Sequence, residues 1–164
     1  MPNAQGMRAV LALGLATLVL FAIIAIYLLP LAPGIVALQF TFSKAAFTAV
    51  TAKWQAGGVA LFRSHMPADF VLLVMYATFG WLLGSRWPRA QLAGGSIHRA
   101  IRWSLPVAAL GDATENALHL LLTSGEPIAS QLLYPMAGIA ASIKWLGILV
   151  FVIAVAAATR SRAA

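Results

Sequence analysis

Three side chains that can exchange a proton, with an amide beside them, lie in one short stretch, Gly111-Asp112-Ala113-Thr114-Glu115-Asn116-Ala117-Leu118-His119. On an α-helix turning roughly 100° per residue, Asp112, Glu115, Asn116 and His119 share an arc of about 100°. Two carboxylates kept away from water can differ in proton affinity, one working as acid and the other as base, and an imidazole adds a second carrier. Glu115, Asp112 and His119 are therefore the catalytic candidates. Asn116 beside them is a ligand-binding candidate, as are Asp69, Tyr76, Trp54 and Lys144 from other parts of the chain.

Metal chemistry is the competing use of these residues. Glu115 and His119, one turn apart, could join Asp112, Asp69 or His65 around iron, manganese or zinc. One histidine in the helix falls short of the paired Glu-x-x-His motifs of di-iron bundles, so no metal site is assigned and no cofactor is specified. A purely structural use also exists, in which acids, amide and lysine form a packed network that fixes helix register. That accounts for one acid and one lysine, but less well for the surplus of acids, a histidine and a tyrosine.

The elements that must position these groups are membrane helices. The chain has 164 residues, of which 62% are hydrophobic and 9% charged, whereas a soluble domain carries about a quarter charged. That composition leaves too little polar surface for a water-soluble fold. The expected architecture is all-α: an integral membrane four-helix up-down bundle forming a single transmembrane domain over 1–164. Its spans fall at about 9–29, 67–84, 101–122 and 134–158, each near the ~20 residues that cross a bilayer. The first is read as an uncleaved helix, because its apolar run is too long for an ordinary signal peptide. Pro67-Ala68-Asp69 opens the second, with Gly80 and Gly84 spaced for close helix packing. Asp69 itself has a second reading, as a helix N-terminal charge favoured by the macrodipole. Pro106 is expected to bend the third span.

In the first loop Ser43 is a helix cap, and Phe47, Val50 and Trp54 recur at helical spacing up to Gly57-Gly58. This predicts an amphipathic interfacial helix at about 44–56, with Trp54 at headgroup depth. A packed loop helix outside the membrane is the equal alternative.

Charge sets orientation rather than partners. The net charge of +7 comes from dispersed basic residues beside apolar spans, which points away from nucleic acid. Arg8, Arg86, Arg89, Arg99, Arg102, Arg160 and Arg162 would lie on one side, and Lys44, Lys53 and Arg63 on the other. The positive-inside rule then places both termini in the cytoplasm of a multi-pass protein of the bacterial inner (plasma) membrane. The chain has no cysteine, which excludes disulfides and thiolate chemistry. Ionisable groups at mid-membrane cost at least ~2.5–3.5 kcal/mol each, so the acidic face must turn inward, where Lys144 could meet Asp112 or Glu115.

Leu38-Gln39-Phe40, Phe42-Ser43, Trp54, Asp69-Phe70 with Tyr76, Asp112-x-x-Glu115-Asn116 and Lys144-Trp145 together carry a family likeness. With them the chain resembles a functionally uncharacterised family of small bacterial four-helix membrane proteins, a resemblance that implies four transmembrane helices and no particular chemistry. It is only weakly similar to the EXPERA membrane domain of sterol isomerases. Order and spacing differ there, and no catalytic assignment is carried over.

The functional expectation is a buried acidic site that binds a lipid-like or isoprenoid small molecule, with acid–base transformation of that molecule left open. Phe40, Phe42, Phe47 and Trp54 would form an apolar lid. The alternative is a non-catalytic accessory subunit of a larger membrane complex, its polar face serving helix packing. Expected partners are membrane lipids and the small ligand, or a larger complex or homodimer in the alternative.

Overall fold

The computed structural model describes residues 4–126 and 130–160, and all its regular structure is helical, with no strand among the described residues. Arg162 of the sequence reading lies outside them. The helices are α1 (Ala4–Tyr27), α2 (Ile35–Gln39), α3 (Lys44–Arg86), α4 (Pro88–Leu92), α5 (Gly95–Leu122) and α6 (Leu133–Arg160).

Three of them, α1, α3 and α6, are long and apolar enough to cross a membrane. The 101–122 segment, expected as the third span, is not among them. The cause is local: Asp112, Glu115, Asn116 and His119 make α5 too polar by composition, and these are the residues that give it chemistry. α5 begins at Gly95, earlier than expected, and runs unbroken through Pro106.

α3 joins what the sequence divides. Ser43 caps it, accepting from the Ala46 amide at 3.2 Å. Helical geometry fails at Gln55 (φ 56°, ψ −174°), two residues before the expected Gly57-Gly58 break, and a second helix then continues through Pro67 to Arg86. Gly58 serves packing instead of termination, since a Cβ there would stand 2.7 Å from the Trp54 Cβ. The turns ahead of Pro67 stay helical because Phe62, His65 and Met66 are buried and Arg63 is tied across to α5. Tertiary packing here outweighs local propensity.

The first part of α3 is amphipathic as expected. Phe47 and Trp54 are buried, while Lys44, Thr48 and Lys53 are exposed. Trp54 packs inward, however, its ring 5.3 Å from Phe62 and its Nε1 donating to the Pro33 carbonyl at 2.6 Å.

Cross-helix contacts fix the relative placement of the long helices. Along α3 and α5, Arg63 reaches Leu120, Asp69 meets Asn116, Tyr76 meets Asp112 and Gly84 lies against Arg102, so these two helices run antiparallel. α5 and α6 also run antiparallel, Gly111 facing Ala140 and Gly147 facing Ser104. α1 packs mainly on α3, with Gly14 under the Phe79 ring and the Tyr27 hydroxyl 2.9 Å from Ser64 Oγ. The main core gathers Leu38, Phe47, Trp54, Phe62, Met66 and Tyr76 with residues of α5 and α6.

Candidate functional site

The helical spacing that places Asp112, Glu115, Asn116 and His119 on one face of α5 turns all four into the protein, each at most 4% exposed. α6 brings Lys144 to them, and α3 brings Tyr76 and Asp69. Small residues allow this closeness. Gly111 and Ala137, Ala140 and Ala141 are buried along the α5–α6 seam, so Lys144 can reach across a short distance.

Lys144 meets both carboxylates. Its Nζ donates to Asp112 Oδ1 at 3.0 Å and stands 2.6 Å from Glu115 Oε2, the latter an ion pair whose angle falls outside hydrogen-bond range. Asp112 Oδ2 accepts from the Tyr76 hydroxyl at 3.0 Å, so each Asp112 oxygen has a donor. Such pairing is what allows charge to persist where water is excluded. Asn116 Nδ2 donates to Asp69 Oδ2 at 2.6 Å. Asp69 thus lies within a continuous helix and takes a side-chain donor from α5, which removes its reading as an N-terminal helix charge.

His119 is bound less completely. Its Nδ1 lies 3.6 Å from Glu115 Oε1, too far for a hydrogen bond but close enough for electrostatic attraction. Its ring packs against Phe47 and Phe62, with centroids 5.9 and 5.8 Å away. The Nε2 atom is buried and has no hydrogen-bond partner among the described residues.

These groups end a cavity of about 1080 Å³ bounded by α1, α2, α3, α5 and α6. Its polar end carries Asp69, Tyr76, Asp112, Glu115, Asn116, His119 and Lys144. Its other lining is apolar and reaches Leu15, Leu18, Phe21 and Leu29 of α1 and Val152 of α6, all more than half exposed. Exposed residues of α1 and α6 thus border the cavity, as do Gly34, Val36 and Ala37 at α2.

Of the sequence-derived site residues, Trp54 alone does not line this cavity; its ring packs against Phe62, which does. The expected aromatic lid divides as well: Phe47 and Trp54 are core residues, while Phe40 and Phe42 are about half exposed. Among the described residues no group of three or more carboxylate and imidazole side chains is arranged to hold a metal ion.

Two polar contributors escape a reading by helical face. Gln39, at the end of α2, is buried, lines the cavity and accepts from Trp145 Nε1 at 3.0 Å. The signal for it is a lone amide in an apolar stretch. His65 lines the cavity too, its Nδ1 engaged with the Phe62 carbonyl. Arg63, counted as a loop cation by charge distribution, instead closes the end of α5, donating to the Leu120 carbonyl at 2.6 Å and to Thr123 Oγ1 at 2.8 Å.

No protein-family model, curated protein or solved structure matches the chain.

Proposed function

We propose that this chain is an integral protein of the bacterial inner membrane that takes a lipid-like or isoprenoid molecule from the bilayer into the cavity. In this reading α1, the second part of α3, α5 and α6 form a four-helix up-down bundle, and the first part of α3 lies at the interface. Both termini face the cytoplasm, as the arginine distribution requires. One observation carries the reading: an apolar cavity bordered by exposed residues of α1 and α6 ends on a cluster of acids, an amide, an imidazole and one lysine. Ligand sites combine apolar walls with a few convergent polar groups, at volumes of about 300–1,000 Å³. Ionisable groups held at membrane depth are functional by default.

Binding is the primary activity in this proposal. Any proton exchange with the ligand would fall to Glu115, which as a carboxylate would accept the proton on Oε1, the least engaged oxygen of the two central carboxylates. The accessory-subunit alternative draws on the complete pairing of Asp112, which suits a packing role. The two differ in what leaves the membrane with the protein. After mild solubilisation, mass spectrometry of the wild type should show a bound amphiphile. Glu115→Gln and Trp54→Ala should each carry less of it while remaining folded, Trp54→Ala acting through Phe62. A ligand-free protein that travels with a larger complex, and leaves it on Asp112 or Glu115 replacement, would favour the alternative. For orientation, reporters fused after Arg102 and at the C-terminus should read cytoplasmic and one near Trp54 periplasmic; the reverse pattern would overturn the assignment.

A further inference from the structure

The charge inventory of the cavity is lopsided. Three of the four acidic residues of the chain, Asp69, Asp112 and Glu115, line it. Among the described residues, the only lysine or arginine in the lining is Lys144, and its ammonium is already shared between Asp112 and Glu115. A phosphate or carboxylate drawn to this end would meet carboxylates and no free cation. Like charges brought together away from water repel strongly, and a displaced Lys144 would leave two buried carboxylates unpaired.

A second observation points to what the site does accept. His119 lines the cavity, is 1% exposed, and its Nε2 has no partner among the described residues. A buried polar nitrogen without a partner is a costly arrangement that a ligand group can relieve. With the Nδ1 edge turned towards Glu115, a proton on Nδ1 is the favoured tautomer, which leaves Nε2 as an acceptor. A hydroxyl supplies the matching donor without bringing charge. An ammonium could also donate, but it would have to lose its hydration beside an ammonium already in place.

We propose that the cavity selects an amphiphile whose polar end is an uncharged hydroxyl donating to His119 Nε2, and that it rejects lipids ending in phosphate. This rests on the lipid-binding reading given above and adds the headgroup class to it.

The test uses the full chain in detergent micelles and three probes sharing one isoprenoid tail: geranylgeraniol, its methyl ether and its monophosphate. Native mass spectrometry reads occupancy against probe concentration. The alcohol should bind roughly tenfold more tightly than the ether, which keeps an acceptor but has no donor, and more tightly than the phosphate by at least that factor. His119→Phe, which suits the surrounding rings of Phe47 and Phe62, should abolish the preference for alcohol over ether and leave the phosphate weak. His119→Gln, which keeps an acceptor, should retain part of that preference. Ether binding equal to alcohol binding in the wild type, or phosphate binding as tight as alcohol, would overturn the headgroup assignment and leave lipid binding standing. Binding of none of the three would remove both.

Discussion

The two seams that flank α6 differ in kind. Against α5, backbones meet: a Cβ on Gly111 would stand 2.8 Å from the Ala140 carbonyl oxygen, and one on Gly147 would stand 2.8 Å from that of Ser104. Against α1, Val10 packs in one cluster with Ala154 and Ala158, but farther along, large exposed side chains such as Leu15, Leu18 and Val152 border the cavity. In a bilayer there is no hydrophobic drive to close such a gap, because lipid tails satisfy leucine as well as another helix does, and close packing depends on small residues. The tight seam therefore fixes the polar cluster, and in the proposed reading the wide one admits what reaches it. The same helix does both jobs on different faces.

The sharpest way to break this division is to remove the lysine that the tight seam holds. Lys144→Met should lower stability in detergent by about 3–5 kcal/mol, because Asp112 and Glu115 lose the cation they share. Glu115→Gln in the same chain should recover part of that loss. Losses that simply add in the double-mutant cycle, measured by thermal unfolding, would show that the pair is not coupled.

Gly111→Ala probes the seam itself and should cost about 1–3 kcal/mol, since the added methyl meets backbone that cannot move aside cheaply. Leu18→Ala, on the exposed face of α1, should change stability by no more than about 0.5 kcal/mol. Equal losses from the two substitutions, read from the same unfolding transitions, would mean that the seams do not differ as described.

What could be read from the sequence follows the physics that is local. The shared face of Asp112, Glu115, Asn116 and His119 is a matter of helical period, and the meeting of Lys144 with the acids follows from their similar positions midway along neighbouring helices. Tyr76 and Asp69 were legible for the same reason. The break at Gln55 was not, because Gly57-Gly58 and Pro67 are stronger local signals, and only long-range contacts of Trp54, Phe62 and Arg63 decide the outcome. The sequence offers Trp54 either a headgroup or a packed loop-helix setting; that its indole turns inward to the Pro33 carbonyl is a partner no spacing reveals. The polarity of α5 shows the limit from the other side. The residues that mark the site are also what keep α5 from being apolar enough to cross a membrane by composition, although the sequence reads a span there. The cavity border at α1 and α6 could not be foreseen, since it is a property of how α1 is set against α3.

The central claim is that the α1–α6 seam admits an amphiphile to the polar cluster, and filling the seam tests it most directly. Ala25 lines the cavity from α1, whereas Leu146 of α6 is exposed and outside the lining. Mass spectrometry after mild solubilisation should find a bound amphiphile on the wild type and on Leu146→Trp, and little or none on Ala25→Trp, with all three unfolding at similar temperatures. Equal amounts of amphiphile on Ala25→Trp and Leu146→Trp, or none on the wild type, would contradict the account.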